Sequence, residues 1–124
     1  MEHLKLDKTK FTLAIDFNPN GTLEMEGSSY PESAAEFFAP VYDWLNRFVS
    51  EVGTNITLNL RFDYLNTSSV KCVLNILEIL ESYQENSDSK IVINWYSEED
   101  DEDIFETGEE LAEDSSLNFN FISY

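Results

Sequence analysis

ITLNLRFDYLNTSSVKCVLNILEIL, residues 56–80, opens with the period of a strand and closes with the period of a helix. Ile56, Leu58, Leu60 and Phe62 alternate with Thr57, Asn59, Arg61 and Asp63, which puts the apolar side chains on one face of an extended chain. Val70, Val73, Leu74, Leu77 and Leu80 then recur at three- and four-residue steps, the spacing of a helical stripe. A strand that feeds directly into a helix is the first half of a βαβ unit, and it argues for an α/β fold. Between the two lies Asn66-Thr67-Ser68-Ser69, four small polar residues at the mouth of the helix.

The same patterns extend outward. Phe11, Leu13, Ile15 and Phe17 alternate with polar residues and predict a strand. Asn18-Pro-Asn-Gly21 is turn chemistry, and Thr22–Glu26 alternates again, so the two segments predict a hairpin. Ser33-Ala-Ala-Glu36 fits a capping box. The stripe Phe37, Val41, Leu45, Phe48 and Val52 predicts a helix that Pro40 kinks or restarts, with Gly53 as a stop. Asn86-Ser-Asp-Ser89 ends the second helix, and Lys90–Tyr96 predicts a buried strand. Residues 98–114 predict an acidic loop passing into a short acidic helix, and Leu117, Phe119 and Phe121 a last strand. The order is strand, strand, helix, strand, helix, strand, helix, strand. That order predicts one layered α/β domain over residues 1–124, a mixed sheet of about five strands with helices packed against it.

Composition bounds the function. The chain has 124 residues, 7 Lys and Arg against 25 Asp and Glu, and a formal net charge of −18. Such a chain offers no basic face for nucleic acid and is repelled by an anionic membrane. Its expected partners are proteins. No apolar stretch reaches the roughly 20 residues of a membrane span. The N-terminal MEHLKLDKTK has no apolar core of the kind a signal peptide needs, so a cytoplasmic location is expected.

Catalytic and metal signatures fail one by one. A Ser or Cys nucleophile needs a nearby base, and the lone histidine, His3, sits in an end expected to fray. Cys72 lies in an apolar helix segment, where a free cysteine is usually inert core. His3 and Cys72 cannot furnish a zinc site. The acidic run lacks the glycine and terminal glutamate register of a calcium loop. Gly21, Gly27, Gly53 and Gly108 are too scattered for a phosphate-binding loop, so no cofactor is expected.

Asn66-Thr67-Ser68-Ser69 therefore carries the question of function. A hydroxyl there can cap the helix, worth about 1 kcal/mol. A row of hydroxyls where free amides and a partial positive charge meet also suits a phosphoacceptor. The residues alone leave both readings open. Lys71 stands one turn on, as a phosphate partner or as an ordinary surface lysine.

Tyr64-Leu-Asn-Thr-Ser-Ser69, Gly27-Ser-Ser-Tyr-Pro-Glu32, and Asp43-Trp44 with Arg47-Phe48 together resemble the SiaC family of bacterial regulatory phosphoproteins. The likeness runs through nearly the whole chain. It implies a STAS-like fold and a partner-switching role. It implies that Thr67 is phosphorylated by a kinase of the histidine-kinase-like ATPase fold and dephosphorylated by a PP2C-type phosphatase. The bare form would bind and activate a diguanylate cyclase, raising cyclic di-GMP and favouring biofilm. Tyr64, Asn66, Ser68, Ser69, Lys71, Ser28 and Tyr30 are then the expected docking residues around Thr67. The competing expectation is a constitutive acidic interaction module that ignores Thr67.

Overall fold

The computed structural model describes residues 1–124. Its elements are β1 (Leu4–Leu6), β2 (Ala14–Phe17), β3 (Thr22–Ser29), α1 (Ala34–Glu51), β4 (Ile56–Leu65), α2 (Thr67–Glu85), β5 (Ile91–Ser97), α3 (Glu102–Glu113) and β6 (Asn118–Ser123). The six strands form one mixed sheet in the order β1-β2-β3-β4-β5-β6. β1 and β2 pair antiparallel with their neighbours, and β3 through β6 run parallel.

Each parallel crossover steps to the next strand in the same direction, through one helix. Right-handed crossovers of that kind set all three helices on one face of the sheet. The burial pattern agrees. Leu23, Met25, Leu58, Leu60, Phe62, Ile91, Ile93 and Trp95 point into the core. The other face is open: Asn94 donates to Asn59 at 2.8 Å, Asn120 donates to Asn94 at 3.1 Å, and the Arg61 guanidinium lies over the rings of Tyr96 and Tyr124. β5, expected as a buried strand, is therefore buried on one face only.

α1 runs unbroken through Pro40 instead of restarting there. Pro40 and Glu36 both lie on the exposed side, so the carbonyl that proline leaves unpaired is not sealed in the core. The stripe that packs is Phe38, Val41, Trp44, Leu45 and Phe48, so Phe37 is half-buried and Val52 exposed. The Ser33 side chain accepts the Glu36 amide at 3.3 Å, which is one half of the expected capping box; the return bond from Glu36 to the Ser33 amide is not made. α3 closes on β5 at Gly108, where an added Cβ would meet the Trp95 indole at 2.4 Å. The Trp95 indole donates to the Ile104 carbonyl at 3.0 Å and locks that contact.

The N-terminus does not fray. Residues 4–6 form β1, His3 bonds Asp16, and the Trp44 indole donates to the Glu2 carbonyl at 2.7 Å. β2, in turn, starts at Ala14 and not at Phe11. The Thr9 hydroxyl accepts the amides of Phe11 and Thr12 at 3.2 and 3.0 Å, which turns the chain and throws Phe11 onto the surface.

Candidate functional site

β3 and β4 deliver the site. Along them the register runs Gly27↔Phe62, then Ser28↔Tyr64 and Ser29↔Leu65. Asp63 is the extra residue of a β-bulge. Side chains alternate across a strand, so one inserted residue exchanges the faces. Upstream, Leu58, Leu60 and Phe62 point inward; downstream, Leu65 turns toward the core and Tyr64 is 51% exposed. Gly27 sits at the shift with φ +111, a conformation that a side chain disfavours.

α2 begins immediately after, and its cap is Asn66. The Asn66 carboxamide oxygen accepts the Ser69 amide at 2.8 Å. A hydroxyl cap was the expected device; the shorter reach of Ser or Thr is not needed, because asparagine ends the strand in extended geometry (φ −76, ψ 170) and reaches the third amide itself.

Ser69 is also consumed. Its hydroxyl donates to the Ser29 carbonyl at 3.1 Å, and the Ser29 hydroxyl sits 2.7 Å from it. The Asn66 amide bonds the same Ser29 carbonyl at 2.9 Å. Both serines are 0% exposed. The expectation that Ser69 docks a partner is thus corrected: it is a buried pin that ties the start of α2 to the end of β3.

Thr67 and Ser68 are exposed, and neither side chain forms a hydrogen bond within the molecule. The first amides of a helix also lack carbonyls one turn back. Lys71, one turn along α2 from Thr67, is exposed and makes no ion pair. Ser28 is half-buried beside Tyr64 in the register.

An aromatic patch adjoins these hydroxyls. Tyr30 meets Tyr64 edge-on with ring centroids 5.7 Å apart, and Phe11 meets Tyr30 edge-on at 5.1 Å. The Tyr30 amide donates to the Phe11 carbonyl at 2.9 Å and fixes the pair. All three rings are well exposed. Contiguous exposed aromatics of this kind mark interaction surfaces. Phe11 was missed at the sequence level because its alternation with Leu13 argued for the core. The signal was Thr9-Lys-Phe-Thr12, a segment with a hydroxyl able to close a turn.

Cys72 is buried, and its backbone carbonyl accepts from the Tyr42 hydroxyl at 3.2 Å. Burial first, then side-chain hydrogen bonding with Cys72, pushes the Tyr42 phenol up to about 12 against the lowering bond from Asn75. No three His, Cys, Asp or Glu side chains are placed to hold a metal ion, and no helix is long and apolar enough to cross a membrane.

Free hydroxyls at a helix mouth beside exposed aromatics form a surface with the character of an interaction site. A profile of the SiaC family of regulatory phosphoproteins matches residues 6–124, and the chain belongs to that family. It is 37% identical over 120 residues to an uncharacterized protein of Pseudomonas aeruginosa (strain UCBPP-PA14), covering 96% of this chain and 94% of that relative. Its fold matches SiaC of Pseudomonas aeruginosa with a TM-score of 0.92 at 34% identity, over 100% of both chains. It matches equally, at 0.92 and 35% identity over 98% of this chain and 99% of the other, one chain of a crystal structure of diguanylate cyclase SiaD in complex with its activator SiaC from Pseudomonas aeruginosa.

Proposed function

We propose that this protein is a cytoplasmic, non-enzymatic activator of a diguanylate cyclase, switched by phosphorylation of Thr67. The observation that carries the reading is the division of labour in Asn66-Thr67-Ser68-Ser69. Asn66 caps the helix and Ser69 pins it, so neither exposed hydroxyl is required by the fold. The family description as phosphoproteins and the relative bound to a cyclase support it.

In the bare state the Phe11–Tyr30–Tyr64 patch docks on the cyclase, and activation raises cyclic di-GMP and promotes biofilm. A kinase of the histidine-kinase-like ATPase fold places phosphate on Thr67, and a PP2C-type phosphatase removes it. The phosphate adds about −1.5 to −2 charges three residues from Tyr64. Docking would then have to desolvate that charge, which disfavours an apolar contact. Lys71 and the free first-turn amides hold the phosphate on this chain and away from the partner.

The test is intact mass after incubation with ATP and the cognate kinase, with cyclase binding measured in parallel. Thr67→Ala should lose the added mass and keep cyclase binding. Ser68→Ala should keep both. Thr67→Glu should bind the cyclase less well. Full labelling of Thr67→Ala would overturn the assignment. Cyclase binding indifferent to phosphate would leave a constitutive acidic module in its place.

A further inference from the structure

β6 is the last strand of the sheet and has a neighbour on its β5 side only. Its sequence, Asn-Phe-Asn-Phe-Ile-Ser, carries neither charge nor proline, the usual means by which an edge strand is protected. At the opposite edge, β1 is only three residues long and includes Lys5.

The free side of β6 can be identified. The Tyr124 amide donates to the Ser97 carbonyl at 3.1 Å, and the Tyr124 carbonyl accepts from Glu99 at 2.8 Å, so Tyr124 turns its backbone inward. Backbone direction alternates along a strand, so Phe119, Phe121 and Ser123 turn their amides and carbonyls outward.

The same edge carries an apolar anchor point. Phe121 and Phe105 are 40% and 39% exposed, with ring centroids 5.6 Å apart, and Phe119 stacks on Phe121 at 6.0 Å. A hollow of about 270 Å³ opens there, lined by Phe105, Phe121, Glu98, Glu99, Asp101 and Glu102. Glu106, Glu109 and Glu113 continue the acid stripe along α3. No Lys or Arg follows Lys90, and no acid from Glu98 to Asp114 is in an ion pair.

We propose that this edge accepts a basic, extended segment of another protein as a seventh strand. The outward backbone of Phe119 and Phe121 bonds the incoming strand, an apolar side chain fills the Phe105–Phe121 hollow, and flanking Lys or Arg pair with the acid rim. A second copy of this chain would bring a second −18 charge and a second acid rim to the contact, so charge selects a basic partner. This surface is separate from the Thr67 hydroxyl and stands whether or not Thr67 is modified.

A rhodamine-labelled peptide, Lys-Lys-Val-Thr-Phe-Thr-Val-Lys-Lys, tests it by fluorescence anisotropy with the full chain. The wild-type protein should bind it, and so should Thr67→Ala. The same peptide N-methylated throughout its apolar centre keeps its charge and loses its strand donors; it should bind about tenfold more weakly or worse. Phe121→Glu should also weaken binding by about tenfold, although it adds an acid. Adsorption by charge alone predicts equal binding of the N-methylated peptide and tighter binding by Phe121→Glu. Absence of binding, equal binding of the N-methylated peptide, or tighter binding by Phe121→Glu would each overturn the proposal.

Discussion

The Ser69 hydroxyl lies 2.7 Å from the Ser29 hydroxyl, 40 residues back along the chain, and both are sealed from solvent. That pair separates a hydroxyl the fold consumes from hydroxyls it leaves free, within four residues. The buried hydroxyl holds the helix to the sheet, so the exposed ones can be modified without disturbing the fold.

Ser69→Ala should therefore destabilise the protein by roughly 1–3 kcal/mol, because the buried Ser29 hydroxyl loses its acceptor. Ser68→Ala should stay within about 0.5 kcal/mol of wild type. The Ser29→Ala/Ser69→Ala double variant should cost less than the sum of the two single changes, since no orphan hydroxyl remains. Urea unfolding midpoints check all of these.

The aromatic patch makes the opposite demand. Tyr64→Ala and Phe11→Ala remove half-exposed rings and should cost about 1 kcal/mol of stability or less. If the patch docks the cyclase, each should weaken that complex by about 2 kcal/mol, roughly thirtyfold. Titration calorimetry against the purified cyclase measures the loss.

Gly108→Ala should be among the most damaging single-methyl changes in the chain. Its Cβ would strike the Trp95 indole, which is fully buried and bonded to Ile104. Overpacking of this kind costs about 1–3 kcal/mol. Near-ultraviolet circular dichroism should report a displaced Trp95 even where the variant stays folded.

Alkaline titration should single out Tyr42. Its folded pKa of about 12 lies above the ordinary value of 10.0, from burial first and its side-chain hydrogen bond with Cys72 next. The folded state thus favours the neutral phenol. That contribution to stability is complete below about pH 10 and is lost as pH rises through about 12. Tyr42→Phe should remove the latest tyrosinate absorbance at 295 nm and flatten the alkaline loss of stability.

The sequence was most informative where one period ran uninterrupted. The β4–α2 passage and the Thr22 hairpin strand emerged from alternation or three-to-four spacing, and the last helix from its run of acids. Local hydrogen bonding was harder to see. The Thr9 turn moved Phe11 out of the core, and a three-residue edge strand at Leu4–Leu6 is too short to carry a period. In α1, whose Pro40 argued for a break, packing of Phe38, Trp44 and Phe48 outweighed one missing bond. At the site, the sequence marked Thr67 and its neighbours but could not assign their tasks. Which of Asn66, Ser68 and Ser69 caps, pins or stays free depends on Ser29, which only the parallel pairing of β3 with β4 brings there.

The bulge at Asp63 gives that pairing a lever. Were Asp63 paired in regular alternation instead of bulged, Tyr64 and Leu65 would trade surface and interior with their chemistry untouched. In such a strand, the identity of a docking face is encoded as much by reading position as by residue type. A lineage could therefore gain or lose a contact through a change of pairing register alone, with no substitution at the contact itself.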